Sequence, residues 1–123
     1  MMNAVKKFLE DKGYENIFID YHPEVPQTPE MIALYCWECR PDTIFDGTVT
    51  NYIQVRVRRY SLEEAMSACT AIVTLLDSGP GETPIPLYHP GTVIGRVRRL
   101  PITLERVDDT VTVYSEIALW GIN

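Results

Sequence analysis

The stretch Asn51-Tyr52-Ile53-Gln54-Val55-Arg56-Val57-Arg58-Arg59-Tyr60-Ser61-Leu62-Glu63-Glu64-Ala65 holds a strand, a turn and the start of a helix. From Val49 to Arg59 the odd positions read Val49, Asn51, Ile53, Val55 and Val57, and the even ones Thr50, Tyr52, Gln54, Arg56 and Arg58. Period-two alternation predicts a strand with one buried and one wet face. Ser61 and Glu64 then stand at capping-box spacing, where each side chain can satisfy a free N–H of the first helical turn. Leu62, Ala65, Met66, Cys69, Ile72, Val73 and Leu76 trace one helical stripe, which Asp77-Ser78-Gly79-Pro80-Gly81 ends.

Upstream, Val5, Phe8, Leu9 and Lys12 follow helical spacing, and Gly13 supplies the left-handed position that closes such a helix. Asn16–Tyr21 is a short apolar run rich in strand formers. His22–Pro29 carries three prolines, which predicts an ordered extended loop. Met31–Glu38 reads as a strand, and Arg40–Thr48 as a loop containing two large apolar residues, Ile44 and Phe45. Downstream, Thr83–Pro90 is irregular. Thr92–Leu100 is a strand that Pro101 interrupts, and Ile102–Val107 leads through an Asp108-Asp109 turn into a strand from Thr110 to Trp120. The expected fold is one α+β domain over residues 1–123. It has a mainly antiparallel sheet of about four to five strands with both helices packed on one face.

Composition sets the outer limits. The 46% hydrophobic and 23% charged content is that of a globular chain, long enough at 123 residues to bury a core without metals or disulfides. No apolar run is long enough to cross a bilayer and no signal peptide is evident, so the chain reads as soluble and intracellular. A formal net charge of −6 argues against general nucleic-acid binding. An odd count of three cysteines suits a reducing compartment. Cys36 and Cys39 have C-x-x-C spacing, but on a continuous strand their sulfurs would point to opposite faces, so ordinary structural thiols are expected. Cys69 falls on the apolar face of the second helix.

Reactive groups are few. His22 and His89 are the only histidines, each beside a proline, and neither a nucleophile motif nor a phosphate-binding loop is present. No catalytic, cofactor or metal residues are expected, and an enzyme is not. Seven of the eight arginines lie at 56, 58, 59, 96, 98, 99 and 106. Arg56 and Arg58 share a strand face, as do Arg96 and Arg98. If those strands are neighbours, four guanidinium groups line one patch. That patch is either a solvated face balanced by acids such as Glu105 and Glu116, or a contact surface for a partner protein or passing DNA.

The order of these features resembles a known family. Pro23-Glu24-Val25-Pro26 with Thr28-Pro29, followed by Ile32-Ala33-Leu34-Tyr35, is similar to phage minor capsid proteins of the tail-terminator, or tail-completion, type. So is Tyr52-Ile53-Gln54-Val55-Arg56-Val57-Arg58 followed by Tyr60-Ser61-Leu62-Glu63-Glu64-Ala65. The resemblance spans nearly the whole chain and is most specific from Ile53 to Ala65. The chain departs from it at Cys36-Trp37-Glu38-Cys39, which replaces a glycine-rich tract.

The resemblance implies a structural virion protein made in the host cytoplasm. It would form a ring, often a hexamer, at the head–tail junction, with tail-tube and head-completion proteins as partners. Ile44 and Phe45 are then candidates for the subunit contact, with Arg56, Arg58, Arg96 and Arg98 as a second surface. A head-completion or other neck protein is one alternative. A small ligand- or peptide-binding module outside phage biology is another, and a thiol enzyme built on Cys36 and Cys39 a third.

Overall fold

A computed structural model describes residues 2–36, 50–87 and 92–122. The elements run α1 (Met2–Asp11), β1 (Ile17–Ile19), β2 (Met31–Cys36), β3 (Thr50–Arg59), α2 (Leu62–Leu75), β4 (Thr92–Val107) and β5 (Thr110–Ile122). The strands form one sheet in the order β1-β2-β3-β5-β4. Only the β1–β2 pair is parallel; the other three are antiparallel. The α+β class follows directly. No helix among the described residues is long and apolar enough to cross a membrane.

Period-two alternation sets which face meets the helices. Register aligns Ile32 with Val57, Leu34 with Val55, Ile53 with Ile117 and Val57 with Val113. These side chains form one core with Val5 and Leu9 of α1 and with Ala65, Cys69, Ile72, Val73 and Leu76 at α2. Both helices therefore cover one face of the sheet. The Ser61 hydroxyl accepts from the Glu64 N–H at 3.1 Å and starts α2 as its spacing predicted; such a cap contributes about 1 kcal/mol. Gly13, at φ +96, closes α1.

The strand edge at β4 has two different halves. Along the first, the backbone beyond the sheet is satisfied by the 77–85 segment. Ile85 and Val93 exchange both N–H···O bonds, Ser78 N–H donates to Gly95 O, Gly95 N–H to Ser78 Oγ, and Val97 N–H to Asp77 Oδ1. Along the second half, the β4–β5 register shifts three times, between Val97 and Arg99, between Arg99 and Ile102, and between Thr103 and Glu105. Pro101 lies in the second of these irregularities. It does not end the strand as expected; the extra residues there let β4 continue to Val107.

Two further readings change. Cys36 is disulfide-bonded, not an ordinary thiol. β2 is described from Met31 to Cys36, and its expected continuation to Glu38 lies outside the described residues. A bonded Cys36 also removes the odd cysteine count as an argument for a reducing compartment. Cys39, like Ile44, Phe45 and His89, lies outside the described residues. Cys69 is a buried free cysteine, and burial pushes its thiol up to about 12.

Gly95 is where α2 meets β4. A Cβ built there would lie 1.8 Å from the Leu76 carbonyl oxygen and 2.8 Å from Leu119 Cδ2. The first obstacle is backbone and cannot rotate away. Gly95→Ala is therefore expected to destabilise the protein by about 3 kcal/mol, the upper range for overpacking. Urea unfolding of the purified variant checks this, and an unchanged midpoint would contradict the packing.

Candidate functional site

The sheet face away from the helices carries Arg56, Arg58, Tyr35 and Tyr52, and the proline-rich segment after β1 crosses it. Within that segment Gln27 and Thr28 N–H both donate to Glu24 O, forming a turn. The segment is held down by Arg58. Its Nε donates to Pro29 O at 2.9 Å, and Nη2 donates to Pro23 O at 2.7 Å and Thr28 O at 2.5 Å. Prolines leave carbonyls without matching donors on their own residue, and here those of Pro23 and Pro29 converge on one planar cation. Arg58 is on the expected face but only 2% exposed, so the expectation that it is wet is wrong. The even positions of β3 are wet only where no segment lies on them.

His22 enters the same corner. Arg56 Nη1 lies 3.4 Å from His22 Nδ1, and Arg56 Nε donates to Gln54 Oε1 at 2.6 Å. A guanidinium has no acceptor, so Nδ1 accepts and the neutral ring carries its proton on Nε2. Nε2 is buried and 3.4 Å from Glu105 Oε1, yet too poorly aligned to make a hydrogen bond. With the ring neutral, that contact sets a carboxylate beside the imidazole dipole rather than pairing two charges. Burial holds the His22 pKa below its usual value, with Arg58 and Arg56 adding to the shift and Glu105 opposing it. Burial also lowers Arg58, against the pull of Glu105. Beside these groups lies a cleft of about 330 Å³, lined by His22, Pro23, Glu24, Val25, Pro26, Arg58, Glu105 and Val107.

The four arginines expected to form one patch do not. β5 separates β3 from β4. Arg56 stacks on Tyr35 with Cζ 4.2 Å from the ring centroid, and Arg98 on Tyr52 at 4.7 Å. Arg96 pairs with Glu82 at 3.3 Å. The two acids expected as counter-charges are both in place, but on other partners: Glu116 lies 3.8 Å from Arg99, and Glu105 faces His22. The cleft itself escaped the sequence. Its signal was the coincidence of a proline loop and a cation on the other face of β3 from the core, and only the tertiary fold brings these together.

No model of a known protein family matches the chain, and no curated protein does. Among the described residues no group of three or more His, Cys, Asp and Glu side chains could hold a metal ion. What the corner does chemically is fix a loop: a buried cation ties three carbonyls to β3, and a neutral imidazole fills the space beside it.

Two outcomes follow from this geometry. Arg58→Ala leaves three carbonyls without their donor and should cost about 3 kcal/mol, since each buried unsatisfied group costs roughly 1–3; chemical denaturation measures it. His22 binds a proton less readily in the folded chain than in the unfolded one. Its contribution is therefore complete above the unfolded pKa near 6.5 and is lost as the pH falls toward and through the lower folded value. His22→Asn keeps an acceptor for Arg56 but does not titrate, so the stability difference between wild type and variant should narrow below pH 6.5. A difference independent of pH would contradict the assignment.

Proposed function

We propose that this chain is a non-enzymatic assembly protein of a tailed phage, of the tail-terminator type, which forms a ring at the head–tail junction. The observation that carries the reading is the Arg58 clamp. Of the segments that carry the resemblance, Pro23–Pro29 and Tyr52–Ala65 are far apart in sequence, and Arg58 of the second bonds the Pro23, Thr28 and Pro29 carbonyls of the first. Those two segments are thus one physical unit. They fix a rigid loop on a sheet face, a surface suited to holding a neighbour because little flexibility is lost on contact.

In this role the protein ends tube growth and offers a surface to the head-completion protein. Its partners are further copies of itself and the tail-tube protein, with the exposed arginines of β4 available to acidic partner surfaces or to DNA in passage. The cleft beside Arg58 favours a second reading, a small ligand- or peptide-binding module unrelated to phage. Electron microscopy of particles made without this protein separates the two. Overlong tails detached from heads are expected; tails of normal length joined to heads would exclude the terminator role.

A further inference from the structure

The assembly reading does not say which surfaces meet. Resting on that reading, we infer that copies join head to tail by seating Leu100 of one in the Arg58-side cleft of the next. Leu100 is 75% exposed, more than any other large hydrophobic side chain among the described residues. It sits in the β4 irregularity between the Arg99–Glu116 and Ile102–Tyr114 pairs. The Ser115 hydroxyl donates to the Arg99 carbonyl, and the buried Pro101 follows with its ring-fixed backbone. Residues on both sides are thus tied down, and the leucine is held outward on a fixed backbone. A knob of this kind gives up little freedom when it docks.

The cleft matches it in shape and charge. Its walls are Pro23, Val25, Pro26 and Val107, and Glu24 and Glu105 add carboxylates, while Leu100 is flanked by the exposed Arg98 and Arg99. Arg58, also in the lining, keeps its charge but is one cation against two carboxylates, so it does not cancel both acids. A chain of net charge −6 repels its own copies at long range, so association needs a local pairing of opposite charges such as this one.

Leu100 cannot fill its own cleft. Val107 in the cleft wall is seven residues farther along the same strand, roughly 20 Å at the rise of a β-strand. Knob and cleft are therefore different patches of one molecule. Such a contact is heterologous and closes a ring when the rotation between copies permits. Backbone pairing at this edge is disfavoured, because Pro101 and the register shifts break its hydrogen-bonding rhythm. Side-chain insertion remains.

The test uses sedimentation velocity on the full chain, from micromolar to millimolar, at low and high salt. Wild type should associate, more weakly at high salt. Leu100→Asp should stay monomeric with an unchanged thermal midpoint, since the side chain is exposed. Arg99→Glu and Glu24→Lys should each weaken association by ~10-fold or more, and their equimolar mixture should recover it. Each variant then offers the surface that the other needs. Monomeric wild type, association of Leu100→Asp at wild-type strength, or a mixture no better than either variant would each overturn the contact. Wild-type rings that Leu100→Asp leaves intact would sink this interface while sparing the assembly reading, which the tail phenotype judges separately.

Discussion

A guanidinium buried under a proline-rich segment is the constraint on which the helix-free side of this protein depends. Removing a cation from water costs several kcal/mol unless its donors are matched. Arg58 recovers that cost from three carbonyl oxygens presented by one short stretch of chain. The segment has little alternative: its prolines restrict the backbone, and their carbonyls lack partners of their own. Loop and arginine therefore specify each other. Once the loop is placed, His22 is placed too, between Arg56 and Glu105, and the cleft is what remains between the loop and the end of β4.

The opposite face is organised by packing rather than polarity. α2 approaches β4 so closely that only hydrogen fits at Gly95, and the chain leaving the helix uses that proximity. Ser78 and Asp77 satisfy β4 backbone groups that an edge strand would otherwise offer to any passing chain. Farther along, the edge is protected differently, by register shifts and Pro101. One long strand thus serves two purposes. Its first half completes the core, and its second half, freed from regular pairing, turns Leu100, Ile102 and Leu104 toward solvent.

Much of the fold could be read from the letters, because period-two and helical spacing report burial directly. The Ile53, Val55 and Val57 face, the Ser61 cap and the Cys69–Leu76 stripe all depend on local pattern, and all stand in the structure. Arg58 was misread for a definite reason. Alternation assigns a residue to a face but says nothing of what lies on that face, and the segment that covers Arg58 is some thirty residues earlier. The spread of the arginines was misread because strand order is not written in any one strand; β5 separates β3 from β4. At Pro101 the residue type predicted a stop, whereas the extra residues around it absorb the missing donor and allow the strand to continue. Cys36 shows the same limit, since alternation assigns its sulfur to a face but does not report that it is bonded.

These features bear on how such a chain avoids non-specific strand pairing. A long edge strand with exposed leucines is, by composition, an invitation to non-specific strand pairing. Here the backbone hydrogen-bonding rhythm is broken where the apolar side chains are most exposed, so pairing by main chain is poor just where pairing by side chain is available. Side-chain insertion is selective in a way that strand addition is not, because it needs a cleft of matching shape and charge. The cleft in turn exists only while Arg58 holds the loop down. Under the inferred contact, docking is coupled to folding of the β3 unit: a copy whose loop is released would lose its receptor surface but keep its knob. Such a copy could end a growing arc but could not receive the next subunit. Under the inferred contact, a closed ring requires every copy to have made the same buried bonds, which would tie the assembly to one arginine per subunit.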